Sequence, residues 1–77
     1  MSLQADSILD ATGLNCPEPV MMLHNKVRDL SPGGLLKVIA TDPGSWRDFE
    51  AFARQTGNTL VSQEKTEANF VYVLQRR

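Results

Sequence analysis

The sequence lacks the residues that would crosslink it, bind a structural metal or hold it in a membrane. Its 77 residues include one cysteine and one histidine, which excludes an internal disulfide and leaves too few ligands for a structural zinc site. No apolar run approaches the ~20 residues that span a bilayer, and the first residues lack the basic and apolar segments of a secretory signal. We therefore expect a protein of the reducing cytoplasm that does not enter a membrane and binds no metal or cofactor.

An excess of charge of one sign is also missing. Eight basic residues stand against nine acidic ones, for a net charge of −1, and the basic residues are scattered along the chain. A protein that binds nucleic acid directly usually concentrates such residues in a stripe, so we expect no direct contact with nucleic acid. With 42% hydrophobic and 22% charged residues, the composition is that of a globular chain and not of a disordered one.

The apolar pattern predicts a single domain, residues 1–77, with a loose N-terminus at residues 1–6 and the order β-α-β-α-β-β. Strands are expected at 7–12, 35–40, 58–66 and 70–76, and helices from Cys16-Pro17 to about Leu30 and from Ser45 to Thr56. Ser45 and Asp48 have the spacing of a capping box at the start of the second helix.

These elements predict an α/β two-layer sandwich. Because β-α-β crossovers are right-handed, both helices should lie on the same face of a four-stranded mixed sheet. The apolar run Leu35–Ala40 suggests a central strand, and the last two strands should form an antiparallel hairpin. The other sheet face is left open, and it should be partly apolar because residues 70–74 are apolar on both sides of their strand.

The chemistry concentrates at Cys16, since a thiolate is a strong nucleophile. Pro17 and Pro19 fit the first turn of a helix, where N–H groups have no intrahelical partner, and Glu18 suits the positive end of the helix dipole. The dipole would favour a thiolate at Cys16, whereas Glu18 would raise its pKa, so the size of the net shift stays open. The alternative is that Cys16 is a small buried hydrophobic residue, as free cysteines often are.

Three other residues are candidates for docking a partner beside this cysteine. The helical spacing predicts Met22 on the polar side of the first helix, either as an ordinary exposed residue or as a docking contact. Parallel strand ends share one sheet edge, which predicts Asp42 near the cysteine, as a turn residue or a partner contact. Arg47 would attract an acidic partner or steady an anionic sulfur at Cys16. His24 is expected at the core edge, too far along the helix to serve as a base.

Residues 9–22 read LDATGLNCPEPVMM, which resembles the signature L-D-x-x-G-L-x-C-P-x-P of the TusA/SirA sulfur-carrier family. The resemblance covers nearly the whole chain from Leu9. Outside the motif the matching places are Gly33, Asp42-Pro43, Asp48 and Gly57. The resemblance implies the two-layer sandwich of the family and a persulfide intermediate on Cys16, with Pro17, Glu18 and Pro19 completing the motif.

The resemblance also implies an activity and its partners. Cys16 would accept sulfane sulfur from a pyridoxal-phosphate cysteine desulfurase and pass it to a downstream sulfur-relay protein, as a sulfurtransferase. In the best-known member the relay ends in 2-thiouridine at the wobble position of certain tRNAs. Other members are linked to molybdenum-cofactor sulfur supply, sulfur oxidation or selenium metabolism. A non-catalytic regulatory or interaction module is the alternative function.

Overall fold

The computed structural model describes residues 5–77 and confirms the predicted order of elements. The strands and helices are β1 (Ser7–Ala11), α1 (Glu18–Asp29), β2 (Leu35–Ala40), α2 (Ser45–Thr56), β3 (Thr59–Lys65) and β4 (Phe70–Gln75). Residues 1–4 of the predicted loose N-terminus lie outside the described residues. Asp6, also assigned to that terminus, is held to β2, because its N–H donates to the Leu35 carbonyl and its carboxylate accepts from the Leu35 N–H, both at 2.8 Å.

The sheet is mixed, with the strand order β1-β2-β4-β3. β1 pairs with β2 in parallel, and β4 pairs antiparallel with both β2 and β3. The prediction of a central strand at Leu35–Ala40 is confirmed, since β2 has a neighbour on each side. The predicted β3–β4 hairpin is confirmed as well, with a register shift between Leu60 and Ser62.

The core lies between the helices and one face of the sheet. The largest fully buried apolar side chains come from every layer: Leu23 of α1, Phe49 of α2, Leu36 and Val38 of β2, and Tyr72 and Leu74 of β4. Both helices therefore cover the same sheet face, as right-handed crossovers require. On the opposite face Ile8 is 61% exposed, and Ile39 and Val71, which pair across β2 and β4, are partly exposed.

The predicted capping box at the start of α2 is wrong. Gly44 is the N-cap residue and makes no side-chain cap. Ser45 is instead buried, its Oγ donates to the Asp42 carbonyl at 2.7 Å, and it lies 2.6 Å from the Tyr72 hydroxyl. A serine hydroxyl carries one hydrogen, so Tyr72 must donate to Ser45. Burial raises the pKa of Tyr72, which keeps its hydroxyl a neutral donor.

This buried pair generates a stability prediction. Ser45→Ala should lower the free energy of unfolding by about 1–3 kcal/mol, because it leaves the buried Tyr72 hydroxyl without an acceptor. Tyr72→Phe should cost less, since Ser45 still donates to Asp42. The measurement is urea unfolding of both single variants and the double variant. Because each single variant breaks the same pair, the double variant should lose less than the sum; strictly additive losses would contradict the assignment.

Candidate functional site

The loop between β1 and α1 carries Cys16 to the surface, where its side chain is exposed. Gly13 turns the chain directly after β1 with a φ of 78°, a conformation that glycine adopts without strain. The helix begins at Glu18, one residue later than predicted, with Pro17 flanking it at φ −96° and ψ 7°. Cys16 therefore precedes the helix in a turn, in which the Glu18 N–H donates to the Asn15 carbonyl at 3.0 Å.

Asp42 holds this loop in place. Its Oδ2 accepts from the Cys16 N–H at 3.0 Å, and its Oδ1 accepts from the Gly44 N–H at 3.3 Å. A second tether joins the Gly13 N–H to Thr41 Oγ1 at 2.8 Å. The contact follows from the parallel pairing of β1 and β2, which sets the two following loops side by side, so the predicted proximity of Asp42 and Cys16 is confirmed. Asp42 is more than a turn residue, because it positions the backbone of Cys16.

The thiol of Cys16 has a carboxylate partner that the sequence analysis missed. Its Sγ donates to Asp48 Oδ2 at a distance of 3.2 Å. This hydrogen bond raises the pKa of Cys16, and partial desolvation and the negative charges of Asp48 and Asp42 raise it further. The net shift of the Cys16 pKa, whose size the sequence left open, is upward, and the responsible acids are Asp48 and Asp42. Parallel-strand reasoning, which located Asp42, would also have located the first turn of α2 beside Cys16.

A groove extends from Cys16 along the line where the two helices meet. It encloses about 230 Å³ and is lined by Cys16, Pro17, Val20, His24, Asp48, Ala51, Phe52 and Gln55. The His24 ring makes an edge contact with Phe52, with 4.6 Å between ring centroids. His24 therefore lies at the edge of the core, as predicted, but its side chain is exposed. Apolar side chains of both helices form part of this surface beside the sulfur.

The predicted orientation of Met22 is wrong. The buried side of α1 is defined by Pro19, Leu23 and Val27, and Met22 packs partly buried against the core next to it. Met21 is the exposed methionine, at 60% exposure. Helical spacing from Val20 misplaces Met22, because Val20 is only partly buried and does not mark the centre of the buried side. A docking role for Met22 stays a prediction.

Glu18 and Arg47 are also exposed. Glu18 is the first residue of α1, and Arg47 lies in the first turn of α2 outside the lining of the groove. The role of Glu18 in the motif and the docking role of Arg47 stay predictions. Within residues 5–77, no three His, Cys, Asp or Glu side chains are grouped so that they could hold a metal ion. None of the helices in this range is long and apolar enough to cross a membrane.

Fold and site together define a small two-layer α/β protein that presents a single thiol beside two carboxylates. The family described as "Sulfurtransferase TusA" matches residues 7–76. The chain therefore belongs to the TusA sulfurtransferase family.

Curated relatives and a solved structure agree with this assignment. Sulfur carrier protein TusA of Pseudomonas aeruginosa is 58% identical over 77 residues, covering 100% of this chain and 98% of the relative. Sulfur carrier protein TusA of Pseudomonas syringae pv. tomato is 57% identical over 76 residues, covering 99% and 90%. The crystal structure of a SirA-like protein from Desulfitobacterium hafniense superimposes with a TM-score of 0.78 at 23% identity, over 90% of this chain and 95% of that one. This last similarity confirms the fold.

The hydrogen bond by which Asp42 holds the Cys16 backbone can be tested by substitution. Asp42→Ala removes both side-chain acceptors, so the amide of Cys16 should exchange with deuterium faster, and the free energy of unfolding should fall by about 1–2 kcal/mol. Hydrogen exchange followed by NMR and urea unfolding measure the two effects. Arg47→Ala is the control, because substitution of an exposed residue usually changes stability by about 0.5 kcal/mol or less. Unchanged exchange at Cys16 in Asp42→Ala would refute the tether.

Proposed function

We propose that this chain is a sulfur carrier that binds sulfane sulfur as a persulfide on Cys16. The observation that supports this most directly is the exposed thiol of Cys16 within the Cys-Pro-Glu-Pro motif, at a backbone position fixed by Asp42. Family membership and the names of the curated relatives point in the same direction. An exposed, tethered thiol is suited to meet the cysteine of another protein at close range.

Sulfur uptake needs only the thiol and a persulfide donor. The Cys16 thiolate attacks the outer sulfur of the donor persulfide, the donor's S–S bond breaks, and the donor leaves as a thiolate that takes up a proton. The product is Cys16–S–SH, and no net oxidation or reduction occurs. Because the chain has no second cysteine, delivery must proceed to another molecule, whose thiolate attacks the terminal sulfur and releases Cys16.

The partners follow from this chemistry and from the family. The donor is a cysteine desulfurase, which generates a protein-bound persulfide, and the acceptor is the next protein of a sulfur relay. We assign the relay to the synthesis of 2-thiouridine at the tRNA wobble position in the cytoplasm. The carrier itself does not bind the tRNA, since its net charge is −1 and its basic residues are scattered. Met22, Asp42 and Arg47 remain candidates for contact with the partners.

Persulfide formation can be measured by intact mass. Incubation with a cysteine desulfurase and cysteine should add one sulfur atom, about 32 Da, to the protein, and a thiol reductant should remove it. Cys16→Ser is the matched control, since it replaces only the sulfur atom by oxygen. The proposal fails if the wild-type protein gains no sulfur, or if Cys16→Ser gains the same mass.

The assignment to tRNA thiolation needs a separate test in cells. A strain that lacks this protein should contain less 2-thiouridine in its tRNA, measured by mass spectrometry of nucleosides. Expression of the wild-type chain should restore the modification, whereas Cys16→Ser should not. Restoration by Cys16→Ser would favour a non-catalytic interaction module. Normal 2-thiouridine in the deletion strain, together with persulfide formation in vitro, would assign the carrier to another sulfur pathway.

A further inference from the structure

The thiol of Cys16 is exposed, but it is not set up as a reactive anion. Its Sγ–H donates to Asp48 Oδ2 at 3.2 Å, and its backbone N–H donates to Asp42 Oδ2 at 3.0 Å. Both partners are carboxylates, so an ionised sulfur would lie directly against negative charge. Loss of the thiol proton would also break the hydrogen bond to Asp48.

The titratable groups around Cys16 come from three parts of the fold. α2 supplies Asp48, the loop between β2 and α2 supplies Asp42, and α1 supplies Glu18 and, farther along the groove, His24. Three of these four groups are acidic. Asp48 is the one that contacts the sulfur itself.

We propose that Asp48 is a positioning residue that determines specificity: its carboxylate keeps Cys16 unreactive toward small thiols and electrophiles until a cationic side chain of a docked partner neutralises it. This inference rests on the proposed function, because a carrier must hold its sulfur between two partners. Exposure alone would let small molecules take that sulfur. A partner with a lysine or arginine beside its reactive cysteine has the charge that complements Asp48.

The carboxylate of Asp48 affects both the uptake of sulfur by Cys16 and its delivery to an acceptor. A thiol that donates to a carboxylate remains protonated, and the pKa of Cys16 is raised for this reason. Uptake is slowed because the thiolate is the attacking species. Delivery is slowed because Cys16 is then the leaving group, and a thiol of higher pKa leaves more slowly.

Uncatalysed delivery can be followed with cyanide as a simple acceptor. Cyanide attacks the terminal sulfur of Cys16–S–SH and forms the new carbon–sulfur bond as the S–S bond breaks. Cys16 leaves as a thiolate, and the terminal sulfur departs as thiocyanate with release of its proton. In the absence of a partner, the intact Asp48 carboxylate should retard this step.

The first test is alkylation by iodoacetamide of the protein whose Cys16 carries a free thiol and no persulfide sulfur. The rate is measured between about pH 6 and pH 10, a range that spans cysteine titration. Asp48→Asn should shift the pH profile of the rate to lower pH and raise the rate at pH 7 by about threefold or more. The gain in thiolate is partly offset because nucleophilicity falls with pKa. Glu50→Gln, which removes the same charge from an exposed position of α2, should leave the profile unchanged. Asp48→Glu, which keeps a carboxylate, should give a pH profile between those of the wild type and Asp48→Asn.

The second test is release of thiocyanate from the persulfide form, which should also be faster in Asp48→Asn. Circular dichroism verifies the fold, and Asp48→Ser replaces Asp48→Asn if the latter does not fold. An alkylation profile in the folded variant identical to that of the wild type, or a slower rate at pH 7, would overturn the proposal, even if Cys16 carries sulfur. If the wild type takes up no sulfur, the proposed function fails, while the alkylation profile still decides the role of Asp48.

Discussion

The parallel pairing of β1 with β2 is the interaction on which the site depends. Its register places Ala11 opposite Ala40, so the chain leaves both strands at the same sheet edge. The loop that carries Cys16 and the loop that carries Asp42 are thereby neighbours. Within residues 5–77, β1 is an edge strand in the order β1-β2-β4-β3, and the strand it pairs with is β2. Any change that displaced β1 would therefore separate Cys16 from the carboxylates that position it.

A continuous series of hydrogen bonds connects the buried core to the loop that carries Cys16. Tyr72 of β4 bonds to Ser45, Ser45 bonds to the Asp42 carbonyl, and the Asp42 carboxylate accepts from the Cys16 N–H. Tyr72 and Ser45 are buried at 0% and 1% exposure, whereas Cys16 is exposed. Bonds of this kind contribute most where a buried group would otherwise lack a partner. The exposed hydrogen bond between Asp42 and the Cys16 N–H is thus connected through Ser45 to a buried hydroxyl pair.

The fold was largely predictable from the sequence because its signals are local and strong. The apolar run of β2 and the 3.6-residue period of α2 each identify one element, and right-handed crossovers fix the layer arrangement. The role of Asp48 was not predictable from local rules, because the capping-box pattern of Ser45 and Asp48 gave a local explanation that competed with a tertiary contact. In the structure Ser45 accepts a hydrogen bond from Tyr72, and Asp48 accepts one from Cys16. The prediction of the Met22 orientation was wrong for a similar reason, since tertiary packing determines which side of α1 is buried.

The pKa of Cys16 is raised although the residue lies at the start of a helix. A helix start favours an anion through its unpaired N–H groups and its dipole. Here Pro17 and Pro19 have no N–H, and the N–H groups of Glu18 and Met21 donate to the carbonyls of Asn15 and Pro17. The N–H of Cys16 itself is bonded to Asp42. These donors are therefore already used, and the side-chain partner of the sulfur is the carboxylate of Asp48. The Cys-Pro-Glu-Pro motif thus leaves Cys16 exposed before α1, where its N–H and its thiol both donate to acids, Asp42 and Asp48.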